Sequence, residues 1–254
     1  MDEEPFVGGN MNDATRVGDT VRRRAGPWTP AVHALLRFLE RAGFEAPRPL
    51  GLDEHGREIL TYVEGETHTG WPEPAPAWVT DDDHLREGAR LLRRYHDVVE
   101  GFTPPPDARW RFVAPAPHEL VCHNDWAPWN ALFRVRRLAA MLDWDMAGPG
   151  TRLWDVANTA YSWVPLLSEQ RRFSIEDRAR RLRLFCDAYG LADRASLLDV
   201  MRDRALFVGE FIADQARAGD QGFRKLASWD VPARTIRDAT YLERNRATLE
   251  RALF

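Results

Sequence analysis

The stretch His123-Asn124-Asp125-Trp126-Ala127-Pro128-Trp129-Asn130, followed by Met141-Leu142-Asp143-Trp144-Asp145, places carboxylates and a carboxamide in an order that suits phosphoryl transfer. Moving a γ-phosphoryl group takes a carboxylate that orients or deprotonates the attacking hydroxyl. It also takes oxygen ligands for the magnesium that holds the nucleotide, and cations or backbone amides around the phosphates. Asp125 fits the first role as catalytic residue. Asn130 and Asp143 offer the oxygens magnesium prefers, with phosphates and water completing its shell. His123 is then architectural, fixing the loop through hydrogen bonds. Asn130 and Asp143 lie thirteen positions apart (143 − 130), room for a short strand, a tight turn and a second strand that return both side chains to one edge. The apolar run Leu138 to Leu142 leaves Asp143 at a strand end, and Gly148-Pro149-Gly150 breaks the chain beyond it. A reading of Asp125 and Asn130 as surface caps and Asp143 as a turn residue fits the residue types but leaves the ordered spacing unexplained.

The elements that must position these groups are legible in outline. Ala14 to Val17 and Thr20 to Arg24 flank Gly18-Asp19, a dipeptide suited to a tight hairpin turn. Thr29-Pro30 offers an N-cap and an N1 proline to a helix carrying Val32, Leu35, Leu36 and Leu39 at helical spacing, with Gly43 as its stop. Arg57 to Tyr62 reads as a strand leading through Val63 to a hinge at Glu64-Gly65-Glu66. His68 to Trp78, with Pro72, Pro74 and Pro76, reads as a linker. The remainder is mostly helical. Thr80 is the expected N-cap of a helix running to Val99, with Asp81, Asp82 and Asp83 in its first turn. Long amphipathic patterns follow over Ser168 to Tyr189, capped by Gly190, Ala195 to Ala216 and Val231 to Leu253.

Composition narrows the class. The chain has 254 residues, 44% of them hydrophobic, enough for one large domain or two small lobes. A net charge of −4 gives no global field that favours nucleic acid or an anionic membrane, so a small or cationic ligand fits better. Cys122 and Cys186 form neither a C-x-x-C nor a zinc spacing, and read as reduced thiols. The start of the chain lacks a signal-peptide pattern and no run reaches membrane-spanning length. The expectation is a cytoplasmic protein; its oligomeric state is left open. Among 35 basic residues the single lysine is Lys225.

The residues Val121 to Phe133, Met141-Leu142-Asp143-Trp144-Asp145 and Leu153-Trp154-Asp155-Val156-Ala157 resemble the aminoglycoside phosphotransferase family, related to choline and protein kinases. Arg23-Arg24-Ala25-Gly26-Pro27-Trp28 and Val32-His33-Ala34-Leu35-Leu36 resemble a short subgroup that includes trifolitoxin immunity proteins. The resemblance spans essentially the whole chain. It implies a two-lobed, protein-kinase-like α+β fold: a β-rich nucleotide-binding lobe over residues 1–63, a hinge and linker over 64–79, and a mainly helical catalytic and substrate-binding lobe over 80–254. It further implies Asp125 as catalytic aspartate, Asn130 and Asp143 as magnesium ligands, ATP or GTP as donor, Asp155 as a buried organiser beside the loop, and His96 as a packing or loop-bracing residue.

Departures from the family pattern set the remaining expectations. The usual third-strand lysine, paired with a helix glutamate, is missing, because no lysine precedes Lys225. In Val21-Arg22-Arg23-Arg24 the strand alternation turns Arg23 inward with Val21, which makes Arg23 the candidate phosphate-binding cation. The alternative is that all three arginines form a solvated edge. The helix offers Val32 and His33, with Glu40 at its far end, so the family's ion pair is not expected. Gly9, within Gly8-Gly9-Asn10, reads as part of a phosphate-covering loop or as a simple turn. Tyr62 and Val63, next to the hinge, complete the cofactor-binding candidates. Asn124 stands where relatives carry glycine. Trp126, Trp129, Trp144 and Trp154 either line an acceptor pocket or pack the core, and Glu210, Asp214 and Asp220 are candidates for an amine-bearing substrate.

Two functions follow. One is a phosphotransferase acting on a hydroxyl of an aminoglycoside-like antibiotic, amino alcohol or sugar. The other is a kinase-like immunity or binding protein that sequesters a toxin or peptide with little or no catalysis. A metal-dependent hydrolase using His123 and Asp125 is a weaker third, since no further histidine stands at ligand spacing.

Overall fold

Alternation of buried and exposed residues builds the first sheet, in which Arg23 takes an inward position. In the computed structural model, residues 3–6, 14–68 and 75–254 are described. Gly8, Gly9 and linker residues 69–74 lie outside the described residues. The chain divides into two compact units, residues 1–79 with 94–155 and residues 80–93 with 156–254.

In the first unit, β1 (Glu4–Pro5), β2 (Thr15–Val17), β3 (Thr20–Arg24), β4 (Pro49–Leu52) and β5 (Arg57–Thr61) form an antiparallel sheet in the order β1-β2-β3-β5-β4. Gly18, at φ +59°, makes the tight turn between β2 and β3 that the sequence predicts. The register of β3 with β5 sets Val21 opposite Leu60 and Arg23 opposite Glu58. Helix α1 spans Thr29–Arg41 and buries Val32, His33, Leu35, Leu36 and Leu39. Thr29 is not its N-cap. Trp28 takes that position, and the Thr29 hydroxyl accepts from the Gly26 amide instead. Strand β4 has no counterpart in the sequence reading, because four residues that include proline and glycine carry no alternation to detect.

Next come β6 (Glu66–Thr67), β7 (Leu120–Cys122), β8 (Ala131–Arg134), β9 (Arg137–Met141) and β10 (Gly148–Gly150), in two small sheets ordered β6-β8-β9 and β7-β10. The β8–β9 hairpin is the strand-turn-strand expected from the spacing of Asn130 and Asp143. Its two turn residues, Val135 and Arg136, both have positive φ, as a two-residue connection of right-handed strands requires. Trp126 and Trp144 are buried in an aromatic layer with Tyr95 and His123, so they pack the core rather than line a pocket. Trp154 is also buried, and only Trp129 of the four stands exposed.

Helices α2 (Asp82–Val99) and α3 (Arg152–Trp163) follow β6 and β10 respectively. The cap of α2 is Asp81, whose carboxylate accepts from the His84 amide, and not Thr80, which ends a preceding 3₁₀ turn. The second unit also holds α4 (Ile175–Tyr189), α5 (Leu197–Arg217), α6 (Gln221–Ser228), α7 (Val231–Arg244) and α8 (Arg246–Leu253). Helix α4 begins later than its apolar pattern suggests. The Ser168 amide donates to Asp238 and the Leu167 carbonyl accepts from Arg178, so the backbone here is satisfied without a helix. Gly190 ends α4 at φ +79°, as expected. The single helix expected over 231–253 divides at Asn245. Arg181, almost fully buried, donates to Asp82 and to the Thr80 and Trp163 carbonyls, tying three segments together. Among the described residues, no helix is long and apolar enough to cross a membrane.

A close backbone approach fixes β10. A Cβ on Gly148 would meet the Phe112 carbonyl oxygen at 1.9 Å. Gly148→Ala is therefore expected to lower the unfolding free energy by about 3 kcal/mol, and Gly18→Ala, open but left-handed, by about 1 kcal/mol. Urea denaturation of the two variants tests the ranking.

Candidate active site

Asp155, fully buried at the start of α3, organises the loop that carries Asp125. Its Oδ2 accepts from the His123 amide at 2.9 Å and its Oδ1 from the Asn124 amide at 2.9 Å. His96 donates to the same Oδ2 at 3.1 Å, the bracing role expected of it. Burial alone would push the Asp155 carboxyl up. The hydrogen bond and charge of His96, with help from His123, outweigh burial and hold it below the usual carboxylate range. Asn124 has φ +64°, in the left-handed region where glycine is at ease and asparagine is the best tolerated substitute. That conformation accounts for asparagine being able to stand in a glycine position.

His123 joins the loop to the second motif. Its Nδ1 accepts from the Asp125 amide at 3.2 Å and its Nε2 donates to the Leu142 carbonyl at 3.1 Å. Both nitrogens are engaged with the ring neutral, which leaves no lone pair for a metal. Burial pushes its pKa down against the opposing charges of Asp155 and Asp143. Asn130 donates through Nδ2 to the Asp125 carbonyl at 2.9 Å and to Asp125 Oδ2 at 2.7 Å. The Leu142 amide donates to the Asn130 carbonyl at 2.8 Å, so the segment before Asp143 is pinned to the loop twice. Asp143 itself sits at φ +58° just after β9.

Arg23 lies in a cage of carboxylates. Its Nε donates to Glu58 Oε2 at 2.5 Å, one terminal nitrogen to Asp143 Oδ1 at 3.0 Å and the other to Asp145 Oδ1 at 2.7 Å. The solvated edge is thus ruled out for Arg23, which is 6% exposed. An ion pair does form, contrary to the expectation from the helix, but its carboxylate comes from the neighbouring strand. Glu58 faces Arg23 across the β3–β5 ladder, and His33 of α1 donates to its other oxygen at 2.9 Å. The sequence reading missed Glu58 although the signal was present. Glu58 alternates with inward Leu60 as Arg23 alternates with Val21. Arg111, stacked 4.4 Å over Trp28, adds a second cation 3.7 Å from Asp145. Burial pushes the Asp145 carboxyl up to about 6, against the pull of Arg23 and with the push of Asp143 and Glu58. Burial also works against ionisation of Glu58, but His33 and Arg23 hold it below its ordinary range.

The other candidates stand differently. Tyr62 packs against Phe6, takes the Arg16 guanidinium 3.9 Å from its ring centre, and donates its amide to Asp19. Val63 follows it half-buried, and Gly9 lies outside the described residues. In the second unit, Asp220 caps α6 and Asp214 pairs with Arg217, while Glu210 is exposed on α5. The donor set at Asn130 and Asp143 suits a hard divalent ion. The Asn130 amide turns its NH₂ to Asp125, leaving Oδ1 as the ligating end, and the Asp143 side chain is 35% exposed. Among the described residues, no group of three or more His, Cys, Asp or Glu side chains is arranged to hold an ion unaided.

Asp155 and Glu58 both titrate low in the folded protein, so the native state binds fewer protons than the unfolded chain. Their stabilisation is complete above the unfolded values near ~4 and is lost as pH falls through the depressed folded values. Asp155→Asn is expected to lower stability at pH 7 by about 3 kcal/mol and to flatten the loss between about pH 5 and pH 3. Urea midpoints across that range, for both proteins, check the sign.

Residues 105–229 match the model of the phosphotransferase enzyme family APH. A trifolitoxin immunity protein of Rhizobium leguminosarum bv. trifolii is 33% identical over 269 residues, covering 99% of each chain. Among solved structures, a choline/ethanolamine kinase family protein from Mesorhizobium loti matches with a TM-score of 0.60 at 17% identity, over 100% of this chain and 91% of that one. Amicoumacin kinase, in complex with AMP-PNP, Ca2+ and its amicoumacin ligand, matches with a TM-score of 0.64 at 12% identity, over 95% and 87%. The gentamicin complex of APH(2")-IIa matches at 0.57 and 14%, over 94% and 91%. These likenesses show a kinase-like α+β fold. With its near full-length relative and its match over residues 105–229, the chain belongs to the APH phosphotransferase family, in the short branch that resembles trifolitoxin immunity proteins.

Proposed function

We infer that this protein is a phosphotransferase that moves the γ-phosphoryl group of a magnesium nucleotide, ATP or GTP, to a hydroxyl of a small molecule. The observation that carries the reading is the pairing of Asp125 with Asn130. The Asn130 NH₂ donates to both the backbone carbonyl and the carboxylate of Asp125, which leaves the amide oxygen for a metal ion. The acceptor is an aminoglycoside-like antibiotic, amino alcohol or sugar, in keeping with the gentamicin and amicoumacin complexes of the structural neighbours. Residues 1–63 serve as the nucleotide-binding lobe, 64–79 as hinge and linker, and 80–254 as the catalytic and substrate-binding lobe, in a cytoplasmic protein.

In this mechanism Asp125 orients the acceptor hydroxyl and takes its proton as the oxygen attacks. Asn130 keeps Asp125 in one rotamer, and His123 and Asp155 hold the loop so that the carboxylate is placed before the acceptor arrives. Arg23, Tyr62, Val63 and Gly9 serve the nucleotide, with Arg23 as the cation for its phosphates. Asn130 and Asp143 would hold a magnesium ion, which would supply charge neutralisation on the transferring phosphoryl group. Asp125→Asn is expected to bind nucleotide within about twofold of wild type and to lose about a hundredfold or more of turnover. Calorimetric titration beside a coupled nucleotide-consumption assay reads both, and retained turnover would remove Asp125 from the catalytic role.

The full-length trifolitoxin immunity relative favours a second reading, an immunity or binding protein that sequesters a toxin or peptide and transfers nothing. A strain expressing the triple variant Asp125→Asn, Asn130→Ala, Asp143→Asn distinguishes the two. Under the phosphotransferase reading the triple variant protects no cell from the compound that the wild type defeats. Full protection by the triple variant would establish sequestration.

A further inference from the structure

Asp143 has two claimants. As a metal ligand it should face a divalent ion, yet its Oδ1 already accepts from Arg23 at 3.0 Å. The same guanidinium is anchored independently at its other two nitrogens, to Glu58 at 2.5 Å and Asp145 at 2.7 Å, and Glu58 is itself fixed by His33. Of the three carboxylates, Asp143 is the most open, with 35% of its side chain exposed against 1% for Glu58 and 4% for Asp145. One arm of Arg23 can therefore let go while two stay bound.

We propose that Arg23 is the resident counter-cation of Asp143, displaced by the divalent ion, with Glu58 as the positioning residue that keeps the displaced guanidinium at the site. The proposal rests on the metal role given to Asp143 in the phosphotransferase reading. Without an ion, Arg23 neutralises a carboxylate that would otherwise stand beside Glu58 and Asp145 unpaired. When an ion takes Asp143, the freed terminal nitrogen has lost its acceptor while its guanidinium remains fixed through Nε and the other terminal nitrogen. A phosphate oxygen of the nucleotide that arrives with the ion would then offer it a new acceptor. Metal and nucleotide load cooperatively, because each relieves a cost created by the other, and linkage makes that coupling reciprocal. The planar fork of arginine is what allows this. Three carboxylates engage three separate nitrogens, which the single ammonium of lysine does not reproduce.

The test uses Mn2+ alone, titrated into the full-length protein and followed by electron paramagnetic resonance of the free ion, with no nucleotide present. Arg23→Gln removes the competitor and is expected to bind Mn2+ at least about tenfold more tightly than wild type, one charge fewer standing against the ion. That variant also leaves three carboxylates facing one another, so Arg23→Lys carries the decision if it does not fold. Lysine keeps the charge but cannot hold all three carboxylates, and Mn2+ should still bind about threefold more tightly. Glu58→Gln should shift affinity the other way, since Arg23 then has one acceptor fewer and stays on Asp143. Mn2+ affinity unchanged in Arg23→Lys overturns the exchange, even if Arg23→Gln binds more tightly, because only the general field would then be at work. Absence of Mn2+ binding in every variant overturns it as well. Titration of Mg-ATP and Mg-GTP into the same proteins separates this from the parent reading. A wild type that binds neither nucleotide, with tighter Mn2+ in Arg23→Lys, refutes the phosphotransferase and upholds the exchange.

Discussion

A guanidinium taken out of water must find acceptors for its donors, and the demand of Arg23 organises the first unit of this protein. Three carboxylates from two distant parts of the chain converge on it: Glu58 from the opposite strand, and Asp143 and Asp145 from the turn after β9. Burial of Arg23 works against its charge, but Asp145, Glu58 and Asp143 more than compensate, so the group stays fully ionised. Buried ion clusters of this kind fix geometry more surely than they add stability, since desolvation offsets much of the attraction. What the cluster secures is the position of the turn bearing Asp143 relative to the β3–β5 ladder.

Much of the site was legible because its chemistry is compressed into one stretch of chain. Asp125, Asn130 and Asp143 follow each other at a spacing that a hairpin closes, and the hairpin formed where the apolar run Leu138 to Leu142 placed it. The inward placement of Arg23 was legible from strand alternation, once the resemblance had drawn attention to the missing lysine. Arg111 was not found, because its partners Trp28 and Asp145 lie far away in sequence, and Glu58 was missed although its spacing from Leu60 placed it on the inward face. The family comparison also directed attention to the helix for the missing glutamate, when the helix supplies His33 and the strand supplies the acid. Helix boundaries misled where side chains satisfied the backbone. Asp238 and Arg178 do so before α4, and no local pattern announces it.

The departure from the family pattern is therefore a rearrangement of parts rather than a loss. A cation on the third strand, an anion beside it and a helix residue behind the anion are all present. Their order along the contacts is strand to strand to helix, in place of strand to helix. Glu58 is bonded at each of its oxygens, by Arg23 at one and by His33 at the other. An arginine-rich chain with a single lysine thus carries a buried cation, Arg23, on β3.

The neutral His123 ring has a consequence for how the site can change. Accepting from the Asp125 amide on one side and donating to the Leu142 carbonyl on the other, it transmits hydrogen bonding in one direction between the loop and the strand end. The Asp125 amide and the Leu142 carbonyl, one residue before Asp143, are thereby linked through a single rigid five-membered ring. A change at His123 therefore bears on the Asp125 loop and on the end of β9 at once.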